Sequence, residues 1–175
     1  SGHWAKKYIE ELAAQKIVSG VDGGHFEPDR TVTREEFLKM VIGAFGITRK
    51  PGNTEFSDIQ SGGWYEDYVV TAYKEGLING VSDTEFGVGQ NITREDMAVI
   101  MERVLARLEV DFIGNVKTFQ DAGDISDYAA SAVNNLTMVG VLSGDEAGNF
   151  QPKKFATRAE AAKILFSAME KGGVI

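Results

Sequence analysis

Apolar residues recur along this chain at the three- and four-residue intervals of helices, interrupted at regular distances by glycine-rich loops. Trp4, Tyr8, Ile9, Leu12, Ala13 and Ile17 form the first stripe, which the spacing predicts to stop near Gly20. A second stripe of Phe37, Met40, Val41, Ala44 and Phe45 follows Thr33 and ends by Gly46, and Lys50-Pro51-Gly52-Asn53 breaks the chain after it. Between the two stripes, Val21 to Val32 contains Gly23, Gly24, Phe26 and Pro28, a turn pinned by one buried aromatic. The same alternation returns twice. Phe56 opens a second unit that passes through Trp64 and Tyr68 to Leu77 and turns at Asn79-Gly80. Its loop carries Phe86, with Val88 where the first loop has Pro28, and its closing stripe is Met97, Ile100, Met101, Val104, Leu105 and Leu108, expected to form the longest helix. Phe119 opens a third unit, whose loop runs from Gly144 through Gly148, Phe150 and Pro152 to a helix presenting Ala161, Ala162, Leu165, Phe166 and Met169.

The three units are copies. Trp4 and Trp64 lie 60 residues apart, as do Tyr8, Tyr68 and Tyr128, and as do Gly20 and Gly80, with Gly144 a further 64 on. Aligning Tyr128 with Tyr68 makes the third opening three residues shorter and sets Asp124 in the place of Trp64, so the third unit is expected to lack the tryptophan. The units span 1–50, 54–110 and 117–175, and a segment around Asp111 to Lys117 joins the last two. A unit of two helices and a loop cannot bury its own stripe. The economical arrangement is all-α: the three second helices pack into a central bundle of pseudo-threefold symmetry, with a groove between adjacent units.

Each second helix opens on one motif: Thr33-Arg34-Glu35-Glu36, Thr93-Arg94-Glu95-Asp96 and Thr157-Arg158-Ala159-Glu160. The threonine hydroxyl can accept from the amide three residues on while the carboxylate reaches back, which is a capping box. Glu36, Asp96 and Glu160 are therefore read as caps. Capping leaves the arginine unexplained, because the positive end of the helix dipole disfavours a cation at the first position by roughly 0.3–1 kcal/mol. Two readings stand. Arg34, Arg94 and Arg158 could join free helix-terminal amides in gripping an anion, or each could pair with a carboxylate of a neighbouring unit. In the first case Arg94→Ala should leave stability nearly unchanged; in the second it should lower it.

Composition narrows the chemistry. The 175 residues are 43% hydrophobic and 25% charged, ordinary for a folded globular chain. With 26 acidic and 18 basic residues the net charge is −8, against a nucleic-acid binder, and any anionic ligand must be held by local arginines. There is no cysteine, hence no disulfide or thiolate metal site, and only His3 and His25 could supply imidazole. No apolar run approaches the ~18 residues of a membrane span, and no signal peptide opens the chain, which is expected to begin inside its first repeat.

The sequence of Phe-x-Asp, Trp or Tyr-Ala, a helix ending in Ile or Leu-x-x-Gly, Phe-x-Pro and Thr-Arg-Ala-Glu resembles the S-layer homology domain, over nearly the whole chain and in three copies. The tetrapeptide stands unaltered only at 157–160; Glu35 and Glu95 replace its alanine and Asp96 its glutamate, while the first repeat begins at Ser1-Gly2-His3 without Phe-x-Asp. The resemblance implies a three-pronged spindle around a three-helix bundle. It also implies secretion to the bacterial surface and non-covalent anchoring of a surface protein, through a secondary cell-wall polysaccharide whose pyruvate-ketal carboxylate sits in the inter-repeat grooves. Carried over, Arg34, Arg94 and Arg158 take the carboxylate, Trp4 and Trp64 offer a face to a sugar ring, Asp58 and Asp121 bond sugar hydroxyls, and Gly20, Gly80 and Gly144 let backbone approach the sugar. The tryptophans could instead be core, and the aspartates could cap the following turn.

Other functions fit less well. No G-x-S-x-G, HExxH or P-loop occurs and the acidic residues are caps or solvated faces, so no catalysis and no cofactor are expected. Asp22-Gly23-Gly24 and Gly144-Asp145-Glu146 faintly resemble calcium loops but lack the required spacing and distal glutamate, so no metal is expected. The remaining alternative is a helical-repeat scaffold that binds another protein.

Overall fold

A computed structural model describes residues 2–21 and 24–175. Among these the secondary structure is helical, in the order α1 (Lys6–Ala14), α2 (Arg34–Ala44), α3 (Glu66–Lys74), α4 (Arg94–Arg107), a 3-10 turn at Ala122–Asp124, α5 (Asp127–Met138) and α6 (Arg158–Lys171). The predicted apolar stripes of the second helices are buried except at their ends, where Phe45 is half-buried and Leu108 exposed: Phe37, Val41, Met101, Leu105, Ala162 and Leu165 meet in one core cluster. At 14 residues each, α4 and α6 are equally long, so the helix after Thr93 is not the longest alone.

The repeats interlock more than a string of helix-loop-helix units would. Each first helix packs chiefly on the second helix of the preceding repeat: α3 on α2, α5 on α4, and α1 on α6, which closes the ring. The ring is sealed at the starts of the second helices. Val32 donates its amide to the Ala156 carbonyl (3.0 Å), Ala156 to Ile92 (2.9 Å) and Ile92 to Val32 (3.1 Å), a three-membered cycle of backbone hydrogen bonds. All three side chains are fully buried, so these bonds form away from competing water, where leaving one unmade costs most.

The register of the third repeat differs from the tyrosine alignment. Ile17, Leu77 and Val141 each donate an amide to the residue five before, Leu12, Ala72 and Leu136, at the end of their first helices. The 64-residue offset therefore already holds within α5, and Tyr128, not Asp124, stands where Trp4 and Trp64 stand. The opening of the third repeat is one residue longer than that of the second, from Asp121 to Tyr128 against Asp58 to Trp64. A tyrosine spacing of 60 misled because Tyr128 and Tyr68 occupy different helical positions.

Candidate functional site

Of the first three amides of each second helix, all but that of Glu35 are engaged within the protein. The amides of Arg34, Arg94 and Arg158 donate to the carbonyls of Gln90 (2.9 Å), Lys154 (2.9 Å) and Arg30 (2.8 Å), each in the loop of the next repeat around the ring. Glu95 and Ala159 donate likewise to Pro152 and Pro28. The third amide is taken by the threonine caps Thr33, Thr93 and Thr157; Glu36 and Glu160 complete capping boxes, whereas the shorter Asp96 does not reach back. The starts of α4 and α6 thus offer an anion no free amide, and whatever binding Arg94 and Arg158 do must use the guanidinium.

Those guanidinium groups are locked to the same neighbouring loops. Nε of Arg34, Arg94 and Arg158 donates to the carbonyls of Phe86 (3.0 Å), Phe150 (2.8 Å) and Phe26 (2.8 Å), and each guanidinium lies 5.2, 5.1 or 4.5 Å from the centroid of that phenylalanine. Arg34 also pairs with Asp96 at 2.8 Å and Arg94 with Glu160 at 3.0 Å. The neighbour-pairing reading therefore holds for two arginines. Arg158 differs: Arg30 grips Glu36 with both terminal nitrogens, at 2.8 and 3.3 Å, and among the described residues Arg158 bonds only the carbonyls of Phe26 and Ser19. Burial and the nearby Arg30 charge both push its pKa down. Glu36 is pushed up by burial, but Arg30 and the Thr33 amide outweigh that and hold it below the usual carboxylate range.

Three grooves result, each assembled from all three repeats. The first is lined by Gly20, Glu36 and Lys39 of repeat 1, Arg158 of repeat 3 and Trp64 of repeat 2, and measures about 190 Å³. The second, about 420 Å³, has Gly80, Asp96, Val99 and Arg103 of repeat 2, Arg34 of repeat 1 and Tyr128 of repeat 3. The third, about 490 Å³, has Gly144, Glu160 and Lys163 of repeat 3, Arg94 of repeat 2 and Trp4 of repeat 1. Trp4 and Trp64 are more than half exposed, at 56% and 54%, which rules out the core reading. A lysine leans over each of them: Lys163 lies 6.0 Å from the Trp4 ring and Lys39 5.6 Å from Trp64. The same helical position in the second groove is Val99, and there Tyr128 donates its hydroxyl towards Asp96 (2.7 Å) and Glu95 (3.1 Å). Burial and these two carboxylates push the phenol pKa well up.

Asp58 and Asp121 are not brought into the grooves. Asp58 accepts from the amides of Phe86 (2.8 Å), Gly87 (2.7 Å) and Val88 (2.9 Å), and Asp121 from Phe150 (2.8 Å) and Gln151 (2.6 Å). They pin the loop of their own repeat, not the following turn. Burial raises the Asp58 pKa, but the three amides outweigh it and hold the group low. Asp58→Asn replaces one acceptor oxygen by a donor facing an amide, so it should cost about 2 kcal/mol in chemical denaturation while sparing ligand affinity. A loss of affinity at unchanged stability would show that Asp58 serves the ligand instead.

The glycines are set by packing. A Cβ on Gly20 would stand 2.4 Å from the Gly24 backbone, and one on Gly80, at φ +84°, 2.5 Å from the Glu85 carbonyl; a Cβ on Gly144 would crowd Asn149 and Phe119. Close backbone folding at the groove wall requires glycine with or without a ligand. Of the calcium-like stretches, Asp22 and Gly23 lie outside the described residues, and Asp145 bonds the amides of Ala147 and Asn149 and the Gln151 side chain. Among the described residues no cluster of three His, Asp or Glu could hold a metal ion.

Sequence reasoning missed Lys39, Lys163 and Tyr128 as groove residues. The signal was present, since lysine occupies the same position of the second helix in two repeats.

The S-layer homology domain model matches residues 1–38, 55–98 and 118–162, one match per repeat. The chain belongs to the S-layer homology domain family. Domains of this family attach surface proteins to the cell wall. Among the relatives, the chain is 40% identical to an amylopullulanase of Thermoanaerobacterium thermosulfurigenes over 99% of its own length and 9% of the relative's. It is 39% identical to exoglucanase XynX of Acetivibrio thermocellus, over 97% and 16%, and 30% identical to an S-layer protein of Bacillus thuringiensis subsp. finitimus, over 93% and 20%. This module thus spans a small fraction of each of these relatives. No helix among the described residues is long and apolar enough to cross a membrane.

Proposed function

We propose that this chain anchors a surface protein non-covalently to the bacterial cell wall by holding an anionic, pyruvate-ketal-bearing polysaccharide in its inter-repeat grooves. The observation that carries the reading is the composition of the first and third grooves: an exposed indole, a lysine over its face and a guanidinium at the base converge from three different repeats. A sugar ring has an apolar face that gains by covering an indole, and a ketal carboxylate gains by meeting the cations beside it. Both features sit in a chain of net charge −8, where a general cationic attraction is absent. The relatives named as enzymes act on polysaccharides through their own activities; this module is the part they share with an S-layer protein, and its role is attachment, not turnover.

Co-sedimentation with purified, protein-free sacculi tests the proposal. Binding is expected before, and not after, the wall polysaccharide is chemically removed. Retention on stripped peptidoglycan would overturn it in favour of another wall component, and failure on intact sacculi would favour a scaffold for a protein partner.

A further inference from the structure

The groove of the first repeat does not end at Trp64 and Arg158. Beyond Ile17 and Lys39, which line both, it opens into a second depression of about 370 Å³ bounded by Lys16, Ile42, Gly43, Gly46, Arg49 and Tyr68. Lys16, Lys39 and Arg49 make it basic, and no carboxylate lines it among the described residues. Such a concentration runs against the sign of the whole chain. Trp64 and Tyr68 have ring centroids 6.4 Å apart, and Arg49 lies 5.5 Å from the Tyr68 ring much as Lys39 lies over Trp64. Groove and depression together therefore form one strip of two aromatic faces, each with its own cation.

The other repeats do not build this strip. Where α2 has Ile42 and Gly43, α4 has Glu102, which accepts from Asn135, and Arg103, which donates to the Leu77 carbonyl. In α6 the place of Ile42 is taken by Phe166, packed 5.4 Å from Tyr8. The first repeat also departs at Lys16, which adopts φ +60° where the second and third repeats have Gly76 (+71°) and Gly140 (+79°). A left-handed turn after a helix is ordinarily given to glycine because a side chain there is strained. Lys16 thus sets a charged side chain at the rim of the basic depression, in a turn that glycine takes in the other two repeats.

We propose that this depression is a second carboxylate subsite, continuous with the groove of the first repeat, and that Lys16 and Arg49 hold the charge of the neighbouring sugar of the same glycan chain over Tyr68. The inference rests on the reading of the groove given above. A chain bearing carboxylates on successive residues is then held at two points, and the second contact forms at high effective concentration.

Calorimetry with two probes tests it: a pyruvate-ketal monosaccharide with one carboxylate, and an oligosaccharide of three such residues. The double variant Lys16→Gly/Arg49→Ala leaves Lys39, Trp64 and Arg158 in place. It is expected to bind the oligosaccharide about tenfold more weakly, as for the loss of a charge-assisted contact, and the monosaccharide as tightly as before, with a melting temperature equal to or above the original because glycine relieves the backbone at position 16. An unchanged oligosaccharide affinity would overturn the subsite alone, as would an equal loss for both sugars. Failure of the unaltered protein to bind either sugar would instead overturn the groove reading, and the subsite with it.

Discussion

Arg94→Ala is expected to lower the melting temperature by roughly 6–12 °C. The guanidinium donates to the Phe150 carbonyl, pairs with Glu160 and covers the Phe150 ring, and the ion pair is only 14% and 16% exposed at its two side chains. Truncation leaves a carbonyl unpaired and Glu160 with Lys154 as its remaining cationic partner. Losing one partner of a largely buried pair costs about 3 kcal/mol or more, and for a chain of this size each kcal/mol moves the midpoint by ~2–4 °C. Arg94→Lys should recover little, because an ammonium cannot reach carbonyl and carboxylate together in the geometry of the guanidinium fork. Thermal unfolding followed by calorimetry checks this. An unchanged midpoint would mean that the arginine does not bind the repeats together and serves a ligand alone.

The second large effect concerns the grooves themselves, which are expected to be unequal. Trp64→Ala and Trp4→Ala should each weaken one monosaccharide site by about thirtyfold, from some 2 kcal/mol of apolar burial against the ring. Tyr128→Ala should change little, because the second groove is the poorest of the three. Its phenol is turned to Asp96 and Glu95, Val99 stands where the other two grooves have a lysine over the ring, and its further cation, Arg103, is drawn to the Leu77 carbonyl. Stoichiometry for a monosaccharide is therefore expected below three, as the missing tryptophan implied, but for a different reason: Asp124 lies outside that groove, beside Asp121 and Lys153. Three equivalent sites, or full binding by Trp64→Ala, would contradict this ranking.

The helices and the bundle were legible because buried stripes at helical period, capping threonines and a repeat period are local signals. Less legible was anything carried by pairs of repeats. Phe26, Phe86 and Phe150 each precede the arginine of their own repeat by eight residues, yet each is covered by the arginine of a different one, and no local pattern distinguishes the two. The same holds for Asp58, whose partners lie 28 to 30 residues on. The register of α5 was hidden by an insertion of one residue before it and an accidental tyrosine spacing. Helix-dipole reasoning about the arginine failed because it treated the helix start as solvated, whereas the Arg94 amide already bonds the Lys154 carbonyl and its charge is met by Glu160.

The central claim is that the grooves recognise a sugar by its negative charge as well as its ring. Titration of the unaltered protein with a pyruvate-ketal monosaccharide and with the methyl ester of the same ketal isolates that charge, since the ring and its apolar face are unchanged. Saturable binding of the acid, with the ester weaker by about a hundredfold, follows from losing charge-assisted contacts to a guanidinium and a lysine in a partly buried site. Equal affinities for the acid and the ester would contradict the account.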